Sequence, residues 1–136
     1  MRLELTKRAD YAIRAVVALA AAAPGERRSV RQIAQERSIP ARFLQTVMGD
    51  LVEAGVVDAQ TGRAGGYRLA RSASDISPLD VIEAIEGDSR RRTCVLREGA
   101  CAVGGVCDVH HVFAAAQAAM LEALGGTTIA ELREGA

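Results

Sequence analysis

Residues 29–70 read SVRQIAQERSIPARFLQTVMGDLVEAGVVDAQTGRAGGYRLA, and the order of elements in this stretch decides the fold. Ser29 opens a short helix over residues 30–37, with Gln32 three positions on as in a capping box. Ile33 and Ala34 form its buried side. Ser38-Ile39-Pro40 is a tight turn that sets Pro at the start of the next helix. That helix spans 41–54. Phe43, Leu44, Val47, Met48, Leu51 and Val52 mark its apolar stripe, and Gly55 suits the position just past its end. Residues 56–60 and 67–70 then read as two short strands, with the Gly-rich tip Thr61-Gly62-Arg63-Ala64-Gly65-Gly66 between them. Two helices joined by a three-residue turn and followed at once by a basic hairpin make the layout of a winged helix-turn-helix.

The chemistry of the exposed side points to DNA. With the stripe turned inward, Ala41, Arg42, Gln45, Thr46 and Gly49 lie on the opposite side of the second helix, toward the end that enters a major groove. Arg pairs with guanine and Gln with adenine. Ala41 and Gly49 are small enough for close approach. Arg63 on the wing tip, beside Gly65 and Gly66, is placed for a phosphate or the minor groove. Lys7, Arg8, Arg27, Arg28 and Arg31 are candidates for backbone phosphates. The competing reading is an ordinary helical hairpin with a solvated basic face.

Charge favours the first reading. The formal net charge of the 136-residue chain is zero, but residues 1–72 hold 12 Lys/Arg and 7 Asp/Glu while residues 73–136 hold 5 and 10. A basic front half with an acidic rear half suits a protein that puts one end on a polyanion. The chain is rich in Ala, with two Phe, two Tyr and no Trp, so its core is built from aliphatic side chains on closely packed helices. A core of this size is thin, and an oligomer would thicken it. No apolar run is long enough to span a membrane, no signal peptide is expected, and the expected location is the cytoplasm.

Upstream, residues 6–23 read as a helix capped by Thr6 and ended by Pro24-Gly25. Downstream, Ser77-Pro78 opens a helix to about residue 86, a basic linker covers 87–92, and residues 93–106 form a loop. Residues 108–124 read as a long Ala-rich helix whose apolar positions, Val109, Val112, Phe113, Ala116, Met120 and Leu124, favour pairing with a second chain. Gly125-Gly126 is expected to break it, and Thr127 to cap a last helix to about residue 133. The fold class is therefore mainly α with one small β-hairpin. Residues 1–72 form a DNA-binding domain, and residues 73–136 carry the cysteine loop and the dimerisation helices.

The cysteines form the second constellation, Cys94-x(6)-Cys101-x(5)-Cys107-x(2)-His110. Three thiolates and an imidazole within 17 residues can converge on one metal centre. Cys107 and His110 are three apart at the start of a helix, so they face the same way. The spacing lacks the paired C-x(2)-C of zinc ribbons. Long unequal gaps suit an iron–sulfur cluster with one non-Cys ligand; a Cys3His zinc site and free redox thiols are the other readings. No nucleotide-binding glycine motif follows a strand, and no CxxC is present, so an enzyme is not expected.

Several motifs together resemble the IscR/NsrR-type (Rrf-type) family of winged-helix iron–sulfur transcription regulators. They are Met1-Arg2-Leu3 with Asp10-Tyr11-Ala12-Ile13-Arg14-Ala15, the wing Gly62-Arg63-Ala64-Gly65-Gly66-Tyr67-Arg68-Leu69, the segment Asp75-Ile76-Ser77-Pro78-Leu79-Asp80-Val81-Ile82, and the three-cysteine loop. The resemblance implies a homodimer on an inverted-repeat operator in double-stranded DNA, acting as a repressor. It also implies a cluster on Cys94, Cys101 and Cys107 that senses redox state, iron or nitric oxide. The fourth ligand implied is His110 for a 2Fe-2S cluster, or Asp10 from the partner subunit for a 4Fe-4S cluster. Regulators of this pattern without a cluster, working by zinc or thiol chemistry, are the alternative. This chain departs from the family pattern in its first cysteine gap of six, in Thr61 before the wing glycine, and in Gln45 where IscR-type proteins carry Glu.

Overall fold

The computed structural model describes residues 5–87 and 108–134. In chain order the elements are α1 (Lys7–Ala20), α2 (Val30–Arg37), α3 (Ala41–Glu53), β1 (Val57–Gln60), β2 (Gly66–Leu69), a 3-10 turn (Ala73–Asp75), α4 (Pro78–Glu86), α5 (His110–Gly126) and α6 (Ile129–Glu134). The described residues are mostly helical, with one two-stranded antiparallel sheet, as expected of a winged helix-turn-helix.

Local chemistry sets most of the helix ends. The Thr6 hydroxyl accepts from the Ala9 N–H and starts α1. A capping box starts α2: the Gln32 N–H donates to Ser29 Oγ at 3.1 Å, and the Ser29 N–H donates to Gln32 Oε1 at 2.8 Å. Ser77 and Asp80 repeat the device at α4, with Pro78 in its first turn. The end of α3 is a Schellman motif. The Val56 N–H returns to the Leu51 carbonyl and the Gly55 N–H to the Val52 carbonyl, each at 3.0 Å. Each of the three side-chain N-caps contributes about 1 kcal/mol.

The core forms around α1, which touches α2, α3, α4, α6 and β2. Ala9, Ala12, Ala15 and Ala18 are fully buried along it, so the neighbouring helices approach closely. Ile33 from α2, Leu44, Val47, Met48 and Leu51 from α3, and Val56 and Val57 at the hairpin fill the space beside them. Ile76, Val81 and Ile129 join the same core. The Ile129 N–H donates to the Ile76 carbonyl at 2.8 Å, which brings α6 back onto α1 after α5.

Four expectations need correction. Phe43 and Val52 are not part of the buried stripe; they are 58% and 37% exposed. The buried seam of α3 is Leu44, Val47, Met48 and Leu51, a narrow i, i+3, i+4, i+7 line, and the two outlying residues fall on its opposite edges. Gly125-Gly126 does not break α5, which runs through both. A side chain at Gly125 would lie 3.3 Å from the Leu79 methyl, so its absence lets α5 close on α4, and packing overrides propensity. Thr128, not Thr127, caps α6 through reciprocal bonds with Glu131, while the Thr127 hydroxyl donates to the Ala123 carbonyl. Finally, α1 ends at Ala20 rather than near Pro24.

Candidate functional site

The inward seam of α3 leaves its other side in solvent. Ala41, Arg42, Gln45, Thr46 and Gly49 are all exposed. The helix starts at Pro40, after Ser38 turns the chain with φ +53° and Ile39 anchors the turn in the core. Asp50, near the C-terminal end of α3, is ion-paired to Arg8 of α1.

The wing is built from the register Val57↔Leu69, Asp58↔Arg68, Ala59↔Tyr67 and Gln60↔Gly66. It is tied to the segment before α2 by a third short pairing. The Arg28 N–H donates to the Tyr67 carbonyl at 2.9 Å, and the Tyr67 N–H returns to the Arg28 carbonyl at 2.8 Å. The Arg27 guanidinium donates to the Gly66 carbonyl at 3.3 Å. Two glycines make the return possible. A Cβ on Gly65 would sit 2.3 Å from the Gln60 carbonyl oxygen, and Gly66, at φ +129°, would bring one to 2.9 Å from the Arg28 carbonyl oxygen. Gly66→Ala is therefore expected to destabilise the fold by about 1–3 kcal/mol. Gly49→Ala, on open helix surface with nothing within 4 Å, should stabilise it by about 0.5–1 kcal/mol. Urea melts of the two variants beside the parent check the opposite signs.

The basic residues differ in what engages them. Arg28 is largely covered, paired to Glu36 and 3.8 Å from Glu26, and its guanidinium pKa is raised by the hydrogen bond to Glu36. Arg8 is paired to Asp50, and Arg68 lies 3.4 Å from Asp58. Arg28, a candidate for a backbone phosphate, is engaged within the fold: its guanidinium is taken up by Glu36, and its backbone pairs with Tyr67 of the wing. By contrast, Arg31, Arg42 and Arg63 are exposed and make no ion pair within the described residues. Arg63 also lines an open cleft of about 660 Å³ between the wing and the start of α2, with Arg27, Ser29, Gln32, Gly65 and Arg68.

Of the metal-ligand candidates, Cys94, Cys101 and Cys107 lie outside the described residues. Among the described residues, no three His, Cys, Asp or Glu side chains gather into a metal site. His110 is exposed at the first position of α5. Asp10 is half-exposed in the first turn of α1, where Arg14 Nη2 holds its carboxylate at 2.5 Å. That bond raises the Arg14 pKa. Arg14 also donates to the Arg37 carbonyl at 3.3 Å, at the last residue of α2, and lies over the Tyr11 ring. One side chain thus links Asp10 to the start of the helix-turn-helix bend. Neither the Arg28–Glu36 pair nor the Asp10–Arg14–Arg37 link was legible in the sequence, although the i, i+4 spacing of Asp10 and Arg14 was the one local signal of that link.

A wing pinned to a helix-turn-helix, with unpaired Arg on both, defines a winged-helix transcription regulator. Residues 5–135 match the family model Rrf2, described as an iron-dependent transcriptional regulator, and the chain belongs to that family. It is 34% identical to the HTH-type transcriptional regulator NsrR of Bacillus subtilis over 131 residues, 96% of this chain and 90% of that one. Solved structures share the fold. CymR, the global cysteine regulator of B. subtilis, superposes with a TM-score of 0.84 at 21% identity over 99% of both chains. IscR of T. potens gives 0.76 at 24% identity, covering 98% of this chain and 89% of that one. The named relatives are regulators, not enzymes.

Proposed function

We propose that the chain is a cytoplasmic homodimeric repressor that binds an inverted-repeat operator in double-stranded DNA, with an affinity set by an iron–sulfur cluster. The observation that carries the DNA reading is the sorting of the arginines. Arg8, Arg14, Arg28 and Arg68 are ion-paired within the fold, whereas Arg31 on α2, Arg42 on α3 and Arg63 on the wing are exposed and make no ion pair among the described residues. In this reading Arg42, Gln45 and Thr46 face base edges, with Ala41 small enough to let the helix in. Arg31 contacts a phosphate, and Arg63, on the tip shaped by Gly65 and Gly66, reaches the minor groove or a phosphate.

The dimer rests on α5. None of its residues is buried, it packs chiefly on α4, and Val112 and Met120 are 59% and 43% exposed. Val109, Val112, Ala116 and Met120 recur at 3–4-residue spacing on one face, which is the seam a second copy would cover. Residues 1–72 then read DNA, and residues 73–136 sense and dimerise.

The donor set fits a cluster by its chemistry: three cysteines, with His110 exposed and Asp10 at the surface. Cys94, Cys101 and Cys107 would hold it, with His110 or Asp10 of the partner subunit as the fourth ligand. A bound cluster supplies a centre that reacts with oxidants or nitric oxide and depends on iron supply. If Asp10 serves, the carboxylate it offers is the one that Arg14 holds, and Arg14 also donates to the end of α2. A 1–3 kcal/mol coupling of this kind changes operator affinity about 5–150-fold.

Cys101→Ala tests the cluster. The variant, purified without oxygen, is expected to be colourless and to hold neither iron nor sulfide, with unchanged helical content. A normal visible spectrum overturns the ligand assignment. One zinc per chain in the parent protein supports the zinc and thiol reading instead.

A further inference from the structure

Phe43 has no role in the account so far. The chain contains only two Phe and no Trp, yet this ring is 58% exposed on α3. An aromatic ring left in water forgoes its transfer free energy, so a complex that covers it gains affinity. Its position says what covers it. Arg42 precedes it, and the exposed Gln45 and Thr46 follow within a turn. Side chains on a helix lean toward its N-terminus, so the ring overhangs the first turn of α3, the end that enters a major groove. Asp50 lies seven residues on, along the same flank, and its carboxylate is taken up by Arg8, so that flank does not repel phosphates. The polar side chains beside the ring match donors and acceptors on base edges. A phenyl ring can match only the apolar group in the major groove, the C5-methyl of thymine.

We infer that Phe43 is a specificity residue that packs on one thymine methyl in each operator half-site. This rests on the DNA reading above. The experiment first selects binding sites for the purified dimer from a random duplex pool. Each thymine of the selected site is then replaced singly by deoxyuridine, which lacks only the methyl, and Kd is measured for the parent and for Phe43→Ala.

One thymine per half-site is expected at which deoxyuridine weakens the parent about fourfold, the worth of one buried methyl-sized group. Phe43→Ala should bind both forms equally, while keeping the parent's thermal stability and its preference at the other positions. The inference is overturned if no thymine methyl matters to the parent, or if Phe43→Ala keeps the same sensitivity. It is also overturned if Phe43→Ala changes the oligomeric state, which would make the ring a subunit contact. If no sequence is selected at all, the DNA reading falls and this inference falls with it.

Discussion

The double variant Arg42→Ala, Gln45→Ala is expected to lose about a thousandfold or more in affinity for the operator, down to the level of non-specific binding. Each bidentate side chain–base pair contributes about 1–3 kcal/mol of discrimination. A dimer on an inverted repeat uses each residue twice, so four contacts are lost together, and the floor is the electrostatic binding that any duplex receives. Both side chains are exposed on α3 and support no core contact. The variant should therefore melt like the parent, dimerise like the parent, and carry the same cluster. Titration of labelled operator and of a scrambled duplex at one salt concentration reads the effect. Loss of the cluster in this variant would sink the separation of the reading helix from the sensing loop.

Leu44→Ala is the second large effect, and it acts through the fold. Leu44 is fully buried in the core that α3 shares with α1 and α2. Removing its branched end leaves a cavity and costs about 2–5 kcal/mol. Total stability for a domain of this size is about 5–15 kcal/mol, so the loss is a large fraction of it. The thermal midpoint should fall by roughly 10–20 °C. Phe43→Ala, one residue earlier, should leave the midpoint unchanged, because that ring is in solvent. Calorimetry of the pair separates a seam residue from an edge residue on the same helix.

The contrast between Leu44 and Phe43 shows what the sequence carries and what it does not. Local chemistry is written in it. Thr6, Ser29 with Gln32, Ser77 with Asp80, and Gly55 mark helix ends by the hydrogen bonds their types can make, and those bonds are present. The hairpin between Gln60 and Gly66 follows from its glycines, which only a backbone without Cβ can satisfy there. Contacts between distant segments were not written in any local pattern. Apolar periodicity alone cannot say which edge of a stripe is covered, so it places Phe43 and Val52 in the core with the rest. Gly125 reads as a breaker because the sequence does not show Leu79 packed against it. Arg28 reads as a free cation because the Glu36 carboxylate reaches its guanidinium only after folding.

The same distinction holds for the site. The exposure of Arg42, Gln45 and Thr46 is legible because helical spacing and a short turn decide which side of α3 faces out. Which arginines are engaged within the fold came from the tertiary structure alone. The surroundings of Asp10 are a second case of this kind: its carboxylate is held by Arg14, which also donates to the end of α2. His110, at the first position of α5, has no comparable link among the described residues.

The most direct test of the account is the operator affinity of one anaerobic preparation, measured before and after its cluster is removed, with iron, sulfide and zinc assayed on the same sample. Matched iron and sulfide are expected, about two per chain with His110 ligation or four with Asp10 ligation, as the resemblance to IscR- and NsrR-type proteins implies. The account also predicts an operator Kd that shifts about 5–150-fold when the cluster is lost. A colourless protein without sulfide, binding the operator equally well before and after treatment, would contradict it.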